Sequence, residues 1–204
     1  EINCVDAWKP FFELEEHKEE EYVAEMEKLL EDDTVFKIFL HNINTIDNSI
    51  KINYFRQMSN EFFNSQKSKK YDIIFIDADH TYNSVLNDIK KSLDLINEGG
   101  VICGDDLNMQ LCEVDKINAK ENHNKDFIRD IKTGRNFHPG VTLAVDEIFG
   151  NVNSWGGFWA VQKVGDKWVN ISLKNIPIVY PTHFNDDLLL RAKEHYSDIK
   201  EEIF

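Results

Sequence analysis

The chain has 204 residues, a net charge of −14, 42% hydrophobic residues and 12% aromatic residues. That length and composition suit a globular domain with a sizeable core and exclude a disordered chain. The acidic excess argues against broad contact with nucleic acid or anionic membrane, whose phosphates it would repel.

INCVDAW (residues 2–8) predicts a short buried strand ending at Asp6. EEHKEEEYVAEMEKLLED (15–32) repeats Tyr22, Val23, Met26, Leu29 and Leu30 at helical spacing, so an amphipathic helix follows, its glutamates forming a solvated face. TVFKIFLHNIN (34–44) reads as a further helix, and IKINYF (50–55) alternates like a strand. SNEFFNS (59–65) predicts a short helix capped by Ser59. QKSKK (66–70), the longest basic run, reads as a solvated loop.

YDIIFID (71–77) is apolar on both faces, as in a parallel strand covered by helices. Tyr82, Val85, Leu86, Ile89, Leu93 and Ile96 then form one helical stripe, with Thr81 at its start and EGG (98–100) ending it. VIC (101–103) gives a short strand, followed by GDD (104–106). Residues 107–138 read as a long polar excursion with one short helix near FIRDI, either a substrate lid or surface decoration. PGVTLAVDEIF (139–149) starts a helix with Pro139, and His138 before it reads as a loop histidine in preference to a pocket residue. The segment 157–173 predicts a hairpin around Gly165-Asp166, with Phe158 and Trp159 in its core, and 186–204 a closing helix.

Cys4, Cys103 and Cys112 are odd in number and lack CxxC spacing, which points to a reducing, cytoplasmic compartment, not to disulfides or a zinc knuckle. Cys4 and Cys103 lie in apolar runs and read as core residues. No apolar run is long enough to span a bilayer, and there is no signal-peptide pattern.

Strands alternating with helices predict an α/β fold: a doubly wound, mostly parallel Rossmann-like sheet closed by a C-terminal antiparallel hairpin. The expected organisation is one domain over 1–173 with a helical tail, 174–204, packed on it. Ligands in such sheets bind at the carboxyl ends of the strands. Asp6, Asp77 with His80, and the pair Asp105-Asp106 all lie at strand exits and are expected to meet on one rim. Each alone reads as readily as a helix cap. The adjacent pair is different, because neighbouring carboxylates repel unless a positive group, such as a hard cation, lies near them.

VDAW, FIDADHTY, NEGGVICGDDL and HPGVTLAVDEIF, in this order and closed by a hairpin, resemble the class I S-adenosylmethionine-dependent methyltransferases, in particular the branch of metal-dependent small-molecule and sugar O-methyltransferases. The resemblance spans about residues 2–173. It implies that Asp6 holds the cofactor ribose, and that Met58 and Ser59 lie against its adenine. Asp77, Asp105 and Asp106 would be ligands of Mg²⁺, or of Mn²⁺ or Ca²⁺. His80 would be the general base, and Asp79 would touch the cofactor or support its neighbours. The implied reaction is methyl transfer to a hydroxyl of a sugar or other small diol, with catechol-like phenols second. The family's first strand and glycine-rich loop are absent from these residues, so an upstream extension beyond Glu1 is expected. Expected partners are the small hydroxyl acceptor and either a second copy of the chain or an upstream domain. The alternatives are a non-catalytic binding module of degenerate methyltransferase fold and, ranked lower, a metal-dependent hydrolase or phosphotransfer domain.

Overall fold

The computed structural model describes residues 1–10, 21–46, 49–66, 69–173, 177–182 and 184–203. The start of the acidic run and part of QKSKK lie outside the described residues. Contacts divide the chain into two compact units, Glu1–Lys69 and Lys70–Phe204.

In the first unit, strand β1 (Ile2–Asp6) is followed by helices α1 (Glu21–Glu31) and α2 (Thr34–Ile43), strand β2 (Ile52–Arg56) and helix α3 (Ser59–Ser65). β1 and β2 pair in parallel, with Asp6 opposite Arg56. Trp8 packs its ring on Phe36 and Phe39, with centroids 5.0 and 4.7 Å away. Arg56 pairs with Asp33 and lies 4.7 Å above the Phe36 ring. Glu27 does not join the solvated face of α1. It is buried, as an i, i+3 neighbour of buried Leu30, whereas Met26 is exposed. Ser59 is not the cap of α3: extended geometry continues through Met58, which takes the N-cap position without a side-chain bond, and Ser59 is the first helical residue.

The second unit runs β3 (Tyr71–Ile76), α4 (Tyr82–Leu95), β4 (Ile96–Leu107), α5 (Lys116–Glu121), β5 (Ile128–Arg129), β6 (Asn136–Phe137), α6 (Pro139–Phe149), β7 (Ser154–Trp155), β8 (Gly157–Val164), β9 (Lys167–Asn170) and α7 (Asp186–Ile203). Its sheet has the order β3-β4-β8-β7, with β9 on β8. β3 and β4 are parallel, and β8 returns antiparallel to β4. The expected hairpin turns at Gly165, whose φ of 59° is easily reached only by glycine. Val85 and Ile89 of α4 and Val141, Ala144 and Val145 of α6 pack with Ile102 and Trp159 of the sheet. Each large side chain buried there contributes about 1.5–3 kcal/mol.

Three sequence expectations change here. β3 is not covered on both faces: Ile73 is 65% and Phe75 52% exposed, because α4 and α6 pack on the opposite face. Phe75 stacks on Phe158 at 6.2 Å, and Phe158 is 38% exposed, so only Trp159 belongs to the core. EGG does not end α4. β4 begins at Ile96 directly after the helix, and the glycines lie within the strand; a Cβ on Gly100 would sit 3.0 Å from the Asp72 carbonyl.

The excursion also differs. FIRDI contributes β5, and the short helix lies earlier, at α5, capped by Asp115, whose carboxylate accepts from the Ile117 and Asn118 amides at 3.0 and 2.8 Å. Met109, Leu111, Val114, Ala119, Phe137 and Leu143 give the excursion its own apolar core. Asp130, 1% exposed, ties it together by accepting from the Asp115 amide, the Thr133 amide and the Thr133 hydroxyl at 2.7–2.8 Å. None of the described helices is long and apolar enough to cross a membrane.

Candidate functional site

Ile76 lies opposite Gly104 in the parallel β3–β4 pair, so the two strand exits set Asp77 beside Asp105 and Asp106. A Cβ on Gly104 would fall 2.5 Å from the Ile76 carbonyl and 2.8 Å from Trp159 Nε1, so glycine alone allows this approach. The β4–β8 register shifts between Gly104 and Leu107, and Asp106 takes φ 65° there. A non-glycine residue held in this region stores about 1–3 kcal/mol, and such strain concentrates at functional sites. Asp105 Oδ1 accepts from the Asp106 amide at 2.9 Å.

Asp77, Asp79, His80, Asp105 and Asp106 line one recess, floored by Val85, Val141 and Trp159. Burial, then the charges of Asp106 and Asp105, push the Asp77 carboxyl above its ordinary value. Like charge of this kind is what a cation would relieve. Among the described residues, however, the side chains whose ligand atoms all lie within 4.8 Å of one another are His80, Asp106 and His138, not Asp77, Asp105 and Asp106.

His80 is gripped at both ring nitrogens. Its Nε2 lies 2.9 Å from Asp106 Oδ2 and its Nδ1 2.5 Å from Asp126 Oδ1. Burial alone would lower its pKa, but Asp126, Asp106 and Asp77 outweigh that and hold it above the ordinary histidine value. His138 approaches the same cluster. Its Nδ1 lies 2.8 Å from the Asp126 carbonyl and its Nε2 3.5 Å from Asp106 Oδ1. Bonds from His138 and His80 hold the Asp126 carboxyl far below the usual carboxylate range.

Asp126 and His138 both come from the end of the excursion. Nothing in the sequence marks Asp126. His138 carries one signal, its place immediately before the Pro139 that opens α6. Asp79 is exposed but engaged by its own chain: its oxygens accept from the Thr81 amide (2.8 Å), the Thr81 hydroxyl (3.0 Å) and the Ser84 hydroxyl (2.6 Å), fixing the start of α4. In the first unit, Asp6 and Met58 stand at the exits of paired parallel strands. Asp6 Oδ1 accepts from the Trp8 amide at 2.5 Å, and Met58 is 60% exposed. A separate cavity of about 390 Å³ is lined by Tyr82, Leu111, Lys120, His123, Leu143, Asp146 and Glu147. It contains none of the acidic strand-exit residues.

Parallel strand pairs, helices between them, an antiparallel closing hairpin and polar residues at the strand exits define a Rossmann-like α/β fold. A family profile described as "Methyltransferase domain" matches residues 1–107, just over half of the chain. The chain belongs to this family: it is a class I S-adenosylmethionine-dependent methyltransferase. No curated protein matches it in a sequence search.

Proposed function

We propose that this enzyme methylates a hydroxyl of a sugar or other small diol, assisted by a divalent metal ion. The observation that supports this reading is the recess lined by Asp77, Asp105 and Asp106 together with His80. Asp77, Asp105 and Asp106 would hold Mg²⁺, with Mn²⁺ or Ca²⁺ as substitutes. Such an ion, when bound, lowers the pKa of a hydroxyl and favours an acceptor with two adjacent oxygens. Asp6, with Met58 and Ser59, would hold the ribose and adenine of S-adenosylmethionine, since a carboxylate accepts two hydroxyl hydrogen bonds well. Asp79 supports the His80 turn through Thr81 and Ser84.

His80 is the general base. Asp126 would hold the Nδ1 proton, and Nε2, which lies 2.9 Å from Asp106 Oδ2, would take the acceptor proton once the acceptor hydroxyl displaces that contact. The acceptor oxygen forms the new O–CH₃ bond as the S–CH₃ bond of the sulfonium breaks. S-adenosylhomocysteine and a methyl ether result. Much of the rate comes from aligning the oxygen with the methyl group. The three free thiols fit a reducing, cytoplasmic setting.

Calorimetric titration with S-adenosylmethionine, with and without Mg²⁺, followed by turnover on sugar and catechol acceptors, tests the reading. Asp105→Ala is expected to abolish Mg²⁺-dependent turnover. Unchanged turnover of that variant under chelator would remove the metal from the reaction.

A further inference from the structure

We propose that the protein also binds a transition-metal ion of the Zn²⁺ class, through His80 Nε2, His138 Nε2 and the Asp106 carboxylate. One ligand atom from each lies within 4.8 Å of the others. The two imidazole rings meet edge to face with centroids 4.5 Å apart, and both Nε2 atoms point at Asp106, at 2.9 and 3.5 Å.

The orientation of the rings is the independent observation. A metal-ligating histidine almost always donates its other ring N–H to a carboxylate or backbone carbonyl, which fixes the tautomer and aims the free nitrogen. Both histidines do this, and to one residue. His80 Nδ1 is bonded to the Asp126 carboxylate and His138 Nδ1 to the Asp126 carbonyl. A carbonyl only accepts, so His138 Nδ1 donates to it, and Nε2 is the nitrogen turned toward Asp106. Imidazole suits Zn²⁺, Co²⁺ or Ni²⁺, whereas Mg²⁺ prefers oxygen alone. Side-chain exposures of 26%, 17% and 29% for His80, His138 and Asp106 leave the group open to an entering ion.

This donor set is distinct from Asp77, Asp105 and Asp106 but shares Asp106 with it. The two ions therefore compete, and the softer one also occupies the nitrogen assigned as the base. Zn²⁺ binding itself does not depend on the methyl-transfer reading.

The test titrates the purified chain with Co²⁺, followed by visible absorption, and with Zn²⁺ by calorimetry, without cofactor. One equivalent with bands of nitrogen- and oxygen-ligated Co²⁺ is expected. His138→Asn removes the ligand nitrogen yet keeps a favoured N-cap residue on α6. It should abolish the bands, while Cys112→Ser leaves them intact. Asp126→Ala should weaken Zn²⁺ by about 10–100-fold. Cys112 is exposed, so an adventitious thiolate is the competing site. A thiolate charge-transfer band, or Zn²⁺ affinity equal to wild type in His138→Asn, would overturn the proposal.

Discussion

Gly140, the second residue of α6, packs against the turn that carries His80. A Cβ there would lie 2.1 Å from the His80 carbonyl oxygen and 2.4 Å from the Tyr82 amide nitrogen. Both obstacles are backbone, so no rotamer change relieves them. Reaching even 3.0 Å requires the helix and the turn to separate by about 0.9 Å. Overpacking of this kind costs about 3 kcal/mol. Replacing glycine by alanine in a helix returns about 0.5–1 kcal/mol. Gly140→Ala should therefore be destabilised by about 2 kcal/mol, which lowers the Tm by about 4–8 °C for a chain of this size. The same displacement moves His138, at the start of α6, away from His80. A 1 Å misplacement near the chemistry costs about 100-fold in rate. Urea unfolding followed by tryptophan fluorescence reads the first effect, and turnover of the folded fraction reads the second. A variant as stable as wild type, or more stable, would show that α6 and the His80 turn do not approach this closely.

Asp130→Asn should destabilise by about 1.5–3 kcal/mol, the scale of hydrogen bonds to a charged acceptor. Burial opposes ionisation of Asp130, but the Asp115 and Thr133 amides and the Thr133 hydroxyl outweigh it and hold its carboxyl below the ordinary range. A depressed folded-state pKa stabilises above the unfolded value and is lost as acid protonates the group. The wild-type advantage should be full above about pH 4 and shrink below it; an advantage that grows in acid would contradict this. Asp79→Ala should cost about 1 kcal/mol in thermal unfolding, as a lost helix-start acceptor does, without weakening S-adenosylmethionine. A loss of affinity of about tenfold or more would place Asp79 in the cofactor site. His80→Ala should lower kcat by about 10²–10⁴-fold, and a near-wild-type rate at every pH would reduce His80 to a structural residue.

The alternation of strand and helix, the start of α6 at Pro139, the Gly165-Asp166 turn and the acidic strand exits are all local signals, and the sequence alone determined them. Hydrophobic period, proline and turn glycines act within a few residues, so they survive without tertiary context. Asp77, Asp105, Asp106 and His80 could be brought together on paper because parallel strands put their exits on one side. The exposed face of β3 was not legible, because a run of four apolar residues reads the same whether one face or both are covered. β4 starting at Ile96 was hidden by the glycines that normally end helices. Only the tertiary structure brought Asp126 and His138 to His80. Their approach depends on how a 32-residue polar excursion folds over its own small core and returns at α6, and pairings across such a distance leave no period in the chain.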